Sequence, residues 1–169
     1  MCSSDLIATG GIAALIGGAL TERLSLAVGT GRAVVLGLFF VGFGLILVPL
    51  ALFIPEAALL LLVLHQLLSD GFETVWDANQ GAIRGRVLPA HYQGRANAAF
   101  EGVNIAGRLS GILLGGAISS SVFGSGASLL LGGGASMIVG LMVAGSRIGK
   151  LRSLRELPVA RQAKVRGEP

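Results

Sequence analysis

The sequence predicts an all-α polytopic membrane protein. Three observations carry that expectation: 53% of the 169 residues are hydrophobic, only 13% are charged, and the mean hydropathy is +0.78. Soluble domains carry about 25% charged residues, twice this density. There are 27 glycines and aromatic residues make up only 5%. The glycines have no three-residue period, which excludes collagen, and the apolar content excludes a disordered chain.

Crossing a hydrocarbon core of about 30 Å takes about 20 apolar residues. Residues 6–20 are uncharged but number only 15, so the first span reads as the second half of a longer one. Residues 33–53 are 21 uncharged residues and form the cleanest span. Pro55-Glu56 makes a turn into a third span at 57–80, apolar at first and polar towards its end. Residues 97–122 and 127–145 are the fourth and fifth spans, and 146–169 a basic tail that Pro158 keeps from being one continuous helix. The opening Cys2-Ser3-Ser4-Asp5-Leu6 resembles a translated sequencing adapter. Residues 1–6 are therefore expected to be foreign or disordered, with the true chain extending upstream.

Charge tests this parse. Arg23 and Arg32 fall between spans one and two, Arg84, Arg86 and Arg95 between three and four, and seven further basic residues in the tail. The other two loops hold none, so twelve of the 13 basic residues lie on one side, which the positive-inside rule makes cytoplasmic. That asymmetry accounts for the net charge of +4 better than nucleic acid does, because no basic patch is interleaved with aromatics. Cys2 is the sole cysteine, which excludes a disulfide framework, and no metal-ligand spacing occurs. No cofactor is expected. The His-Glu-x-x-His pattern is missing and the two histidines, His65 and His91, are far apart, so a membrane enzyme is not expected either. His65 lies on a leucine-rich face and reads as a hydrogen-bonded packing residue.

Chemistry concentrates in spans three and four. Gln66, Asp70, Glu73 and Asp77 are spaced 4, 3 and 4, and so are Asn97, Glu101, Asn104 and Arg108. At about 100° per residue each set falls within about 60° of arc, one stripe per helix. Ionisable groups at membrane depth normally face a protein interior or a wet cavity, so the two stripes are expected to face one another or a shared cavity. Depth counted from the cytoplasmic ends pairs Asp70 with Arg108 near the midplane. Glu73, Glu101 and Asp77 then crowd together without a cation of their own, the arrangement a proton carrier needs. A purely structural polar network fits the same residues. Gly107, Gly111 and Gly115, four apart, predict a face of close helix packing on span four; Ser136, Gly140 and Ala144 give a weaker one on span five.

The stretch Val75-Trp76-Asp77-Ala78-Asn79-Gln80, then Ile83-Arg84, Val87-Leu88-Pro89 and Gly94-Arg95-Ala96-Asn97-Ala98 resembles the major facilitator superfamily, in its bacterial drug and siderophore exporter branch. Gly18-x-Leu20-x-Glu22-Arg23 is similar to that family's loop motif after the eighth helix. Gly85, Leu109 and Arg108 depart from the pattern. The resemblance implies a fragment of a twelve-helix major facilitator fold, with the five spans as helices eight to twelve. It implies proton-coupled efflux of amphipathic small molecules from a bacterial cytoplasmic membrane, with the C-terminus cytoplasmic. The partners implied are membrane lipid, a small-molecule substrate and the missing amino-terminal half. Glu22, Arg23, Asn79, Arg84, Gly94, Arg95 and Asn97 are then gate or loop-motif residues. Asp70, Glu73, Asp77, Glu101 and Arg108 are candidates for coupling or the cavity. A freestanding five-helix structural or interaction protein is the competing expectation.

Overall fold

The computed structural model of the chain describes residues 3–121 and 124–157, and the side chains among them from Gly10 onward. Five long helices follow in order: α1 (Ser3–Val28), α2 (Thr30–Phe53), α3 (Ala58–Val87), α4 (Ala90–Ser119) and α5 (Gly124–Gly145). Single 3₁₀ turns lie at Pro55–Ala57 and Leu154–Glu156. No strand occurs among the described residues. Among the described residues four helical segments are long and apolar enough to cross a membrane: Gly10–Val28, Thr30–Phe53, Pro55–Val87 and Gly124–Gly145. This is a multi-pass helical membrane protein.

The helices outrun the apolar stretches that announce them. α1 continues through Glu22 and Arg23 to Val28, so the expected loop between spans one and two reduces to Gly29. Charge ends a hydrophobic span, but only a breaker ends a helix. Gly29 is that breaker, at φ 96°, a conformation glycine adopts without strain. Likewise, α3 runs on to Val87 and α4 begins at Ala90, so Arg84 and Arg86 lie in a last helical turn and Gly94, Arg95 and Asn97 within α4. The loop expected over 81–96 is only Leu88-Pro89. Leu88 is extended (φ −92°, ψ 133°), as the residue before a proline prefers, and the helix stops there.

α2 is the centre of the bundle. It packs on α3 along one side and α5 along another, while α1 packs on the far part of α3 and α4 on α5. The order across the bundle is therefore α1, α3, α2, α5, α4. Ten residues of α2 are buried, four of them glycines, whereas α4 buries none. Small residues set the spacing, as expected where lipid supplies no hydrophobic drive between helices. A Cβ on Gly17 would run into the Gly71 carbonyl, and one on Gly42 would lie 2.5 Å from the Gly133 carbonyl oxygen. Phe40 and Phe72 stack across the α2–α3 seam with centroids 4.4 Å apart.

The small-residue faces behave in the opposite sense to their sequence strength. Gly107, Gly111 and Gly115 on α4 have nothing within 4 Å of an added Cβ, so no helix packs on that face among the described residues. Ser136 and Gly140 on α5 do pack: Ser136 Oγ donates to the Leu38 carbonyl at 2.9 Å, and a Cβ added to Gly140 would meet the Leu38 Cβ at 3.4 Å.

The segment after α5 is a docked strap as far as residue 157. The Gly31 amide donates to the Leu151 carbonyl at 2.9 Å and the Thr30 amide to that of Arg152 at 3.4 Å. These bonds satisfy two of the orphan amides that every helix N-terminus carries. Leu151 is buried under the α1–α2 turn. Strap, α1 C-terminus, α2 N-terminus and the end of α3 thus share one end of the bundle, which gathers Arg23, Arg32, Lys150 and Arg152. Pro158, Arg161, Lys164 and Arg166 lie outside the described residues, as do Met1 and Cys2.

Candidate functional site: a polar cavity between α1, α3 and α4

α3 is continuous through Gln66, Asp70, Glu73 and Asp77, and α4 through Asn97, Glu101, Asn104 and Arg108, so both stripes exist. They converge on one cavity of about 560 Å³. Asp70, Glu73 and Asp77 form its α3 wall and Glu101, Asn104 and Arg108 its α4 wall. The α1 wall is Gly10, Gly11 and Ala14. The helices α3 and α4 barely touch one another, so the space between them is open.

The charge pairing differs from the one depth suggests. Arg108 Nη2 lies 3.6 Å from Glu73 Oε1, the one ion pair among the described residues. Asp70 is turned the other way, towards α1, where Gly10 leaves room for its carboxylate and for the Gln66 amide beside it. Glu73 therefore has a cation and Asp70 does not, the reverse of the expectation. The Arg108 and Glu73 side chains are 67% and 49% exposed. Protein packing covers neither charge fully, so both stay open to the cavity. Asp77, one turn nearer the end of α3, accepts from Gln80 Nε2 at 3.0 Å.

A second polar cavity of about 380 Å³ lies at the α3–α4 turn, lined by Arg84, Gln93, Asn97 and Glu101 among others. Glu101 belongs to both walls and links them. Arg84 stacks its guanidinium 3.9 Å over the Phe100 ring, which holds the side chain across the turn. The Nε atoms of Arg84 and Arg86 are buried without a hydrogen-bond partner.

The remaining predicted motif residues are not gathered into one gate. Glu22 lines a cleft between α1, the end of α3 and the strap, and Arg23 faces an apolar groove. Gly94 and Arg95 are exposed on the first turns of α4. Asn79 is 4% exposed and is a tether: its Nδ2 donates to the Val75 carbonyl at 2.8 Å and its Oδ1 accepts from Ser25 Oγ at 2.8 Å. Asn79→Ala removes this α1–α3 bond, but Ser25 keeps the Thr21 carbonyl at 2.7 Å as an acceptor. The expected loss is therefore about 1 kcal/mol, the low end for a buried bond, read by thermal melting in detergent. A loss near the upper end, about 3 kcal/mol, would mean that Asn79 organises more than this contact. His65 is a packing residue, its Nδ1 3.1 Å from Ser69 Oγ.

Sequence reasoning did not single out Gly10, Gly11, Ala14, Thr74 and Trp76 as cavity wall. The small residues of α1 at 10 and 14 were the available signal, since that spacing opposite a polar stripe leaves room for water. Compared with protein-family models, curated proteins and solved structures, the chain matches none, so the chemistry of the cavity is read from its own residues.

Proposed function

We propose that the chain is the carboxy-terminal part of a proton-coupled exporter of amphipathic small molecules, of the major facilitator type, with α1 to α5 as its eighth to twelfth helices. The observation that carries this reading is the shared cavity: four carboxylates and one arginine from α3 and α4 line one space in a chain of membrane-length helices. A membrane helix keeps such groups where they serve a substrate or proton path. α4 is then the fifth crossing helix. Its 30 residues give about 45 Å, ample for the bilayer, and Ile105, Ile112 and Leu113 give it exposed apolar surface. In this reading the basic end is cytoplasmic, and the Glu101 link carries protons between the midplane and that end. Arg108 holds Glu73, while Asp70 and Glu101 complete the set of carriers. Arg84, on the wall of the second polar cavity with Glu101, serves the cytoplasmic gate, and the exposed Arg95 meets lipid headgroups.

The fragment part of the reading is supported by an unfilled groove of about 750 Å³ among α2, α4 and α5, bordered by Val41, Leu45, Val103, Gly107 and Gly132. A further helix of the same polypeptide fills it. Reading the source locus upstream of the codon for Leu6 tests this, with about seven more apolar spans expected in frame for a twelve-helix protein. A stop codon just upstream would leave a five-helix protein and remove the transporter reading. The open face at Gly107, Gly111 and Gly115 would then belong to an interface with another copy. A mutation distinguishes the two in protein. In the exporter reading Gly111→Leu does not lower melting of the five-helix chain, because nothing lies within 4 Å of an added Cβ, and disrupts the full-length protein; in the five-helix reading it breaks the interface between copies and lowers melting of the chain itself.

A further inference from the structure

A second face of the bundle, sharing no wall residue with the polar cavity, carries a groove of about 480 Å³ between α1 and α3. Its sides are Ile16, Leu20 and Leu24 from α1 and Leu67, Phe72 and Val75 from α3. Its floor is the Gly17–Gly71 contact, where two glycines let the backbones meet and leave a trough instead of a ridge. Ile16, Leu20 and Leu67 are 41–49% exposed along it, so the groove opens outward. One charged residue lines it, Arg23, at the end where the basic residues of the chain gather. Among the described residues the Arg23 guanidinium has no hydrogen bond or ion pair.

The dimensions fit one leaflet. From Ala13 to Leu24 the α1 wall covers about 16 Å of helix axis, half of a hydrocarbon core of about 30 Å. Glu22 and Arg23 close the uncharged run of α1, so with Arg23 taken at the headgroup level of the basic side the groove reaches to near the midplane at Ala13. An apolar trough as deep as one leaflet, closed by an unpaired guanidinium, complements an acyl chain joined to a phosphate, which arginine recognises with paired N–H donors.

We propose that this groove is a binding site for one anionic glycerophospholipid, with an acyl chain against Leu20, Leu67 and Phe72 and the phosphate on Arg23. The site is separate from the polar cavity and stands whether or not the chain transports anything.

The chain purified in detergent and stripped of lipid is titrated with phosphatidylglycerol and with phosphatidylcholine of identical acyl chains, and bound lipid is counted by native mass spectrometry. One phosphatidylglycerol is expected to bind in preference to phosphatidylcholine. Arg23→Gln lowers that preference about fivefold, the effect of one basic residue at an anionic surface, and Arg23→Lys keeps most of it. Leu20→Trp fills the trough and weakens both lipids. Arg152→Gln, outside the groove, changes neither. A wild-type chain without preference, or an Arg23→Gln chain that keeps it, overturns the proposal. Photocrosslinking of the wild-type chain with a diazirine-bearing phosphatidylglycerol tests the site without any substitution. Labels are expected within residues 13–24 and 67–75, and labels confined to other segments overturn the site.

Discussion

Glu73→Gln in the full-length parent is expected to abolish proton-driven export while the protein stays folded and inserted. The substitution keeps the size and shape of the side chain and removes the one group that Arg108 pairs with. Its structural cost is small. Both side chains are about half exposed or more, in a range where an ion pair contributes about 0–1 kcal/mol, so melting should shift little. Its functional cost is large, because glutamine cannot take up and release a proton. Exchange of labelled substrate across proteoliposomes, which needs no net proton movement, should survive, whereas accumulation driven by a pH gradient should fall to background. The double variant Glu73→Gln/Arg108→Gln removes the unpaired cation as well. It should match the stability of the single variant and remain uncoupled, which separates proton handling from charge balance. Unchanged export by Glu73→Gln would take Glu73 out of the mechanism and leave Asp70 and Glu101 as the carriers to test.

The helical class and the convergence of the two stripes were legible in the sequence, because helical period and hydropathy act over many residues and local detail cannot reverse them. The partner of Arg108 was not. Depth counting gives height along the helix, and Asp70 and Glu73 differ by only three residues, about 4.5 Å, which a long arginine side chain spans. The choice was made laterally, by room beside Gly10 on another helix, and no count along α3 or α4 contains that. The helices outrun the apolar spans for a related reason. Arg23, Arg84 and Arg95 interrupt apolar runs, yet their long side chains are compatible with helix. The chain turns where its backbone must, at Gly29 and at Leu88-Pro89. The strap was invisible because it is held by the Gly31 and Thr30 amides, and main-chain bonds leave no side-chain signature. The glycine runs on α4 and α5 show the same limit: small residues permit close approach but do not name the neighbour.

A large stability effect is expected at Gly133, on the α2–α5 seam, and Gly134 beside it supplies the control. A Cβ on Gly133 would stand 2.6 Å from the Gly42 carbonyl oxygen, with Ile46 and Leu45 side chains at 3.1 and 3.3 Å. The obstructing atom is backbone in the middle of α2, which cannot turn aside as a side chain does. Gly133→Ala therefore forces α2 and α5 apart, at about 1–3 kcal/mol for overpacking. The separation also stretches the Ser136–Leu38 bond, worth about 0.5–1.5 kcal/mol. Gly134→Ala adds the same methyl group where nothing lies within 4 Å, so it should leave stability unchanged or raise it by about 0.5–1 kcal/mol through helix propensity. Thermal melting of the two variants in one detergent reads the difference directly, and equal melting would mean that α2 and α5 are not in backbone contact. The consequence extends to the cavity. α4 is attached chiefly through α5, so loosening the α2–α5 seam moves Arg108 relative to Glu73 on α3. Gly133→Ala should therefore also impair export in the full-length protein although it lies outside the polar cavity. An export defect that tracks its melting temperature, set against normal export by Gly134→Ala, would tie the position of the α4 stripe to the packing of α5 on α2.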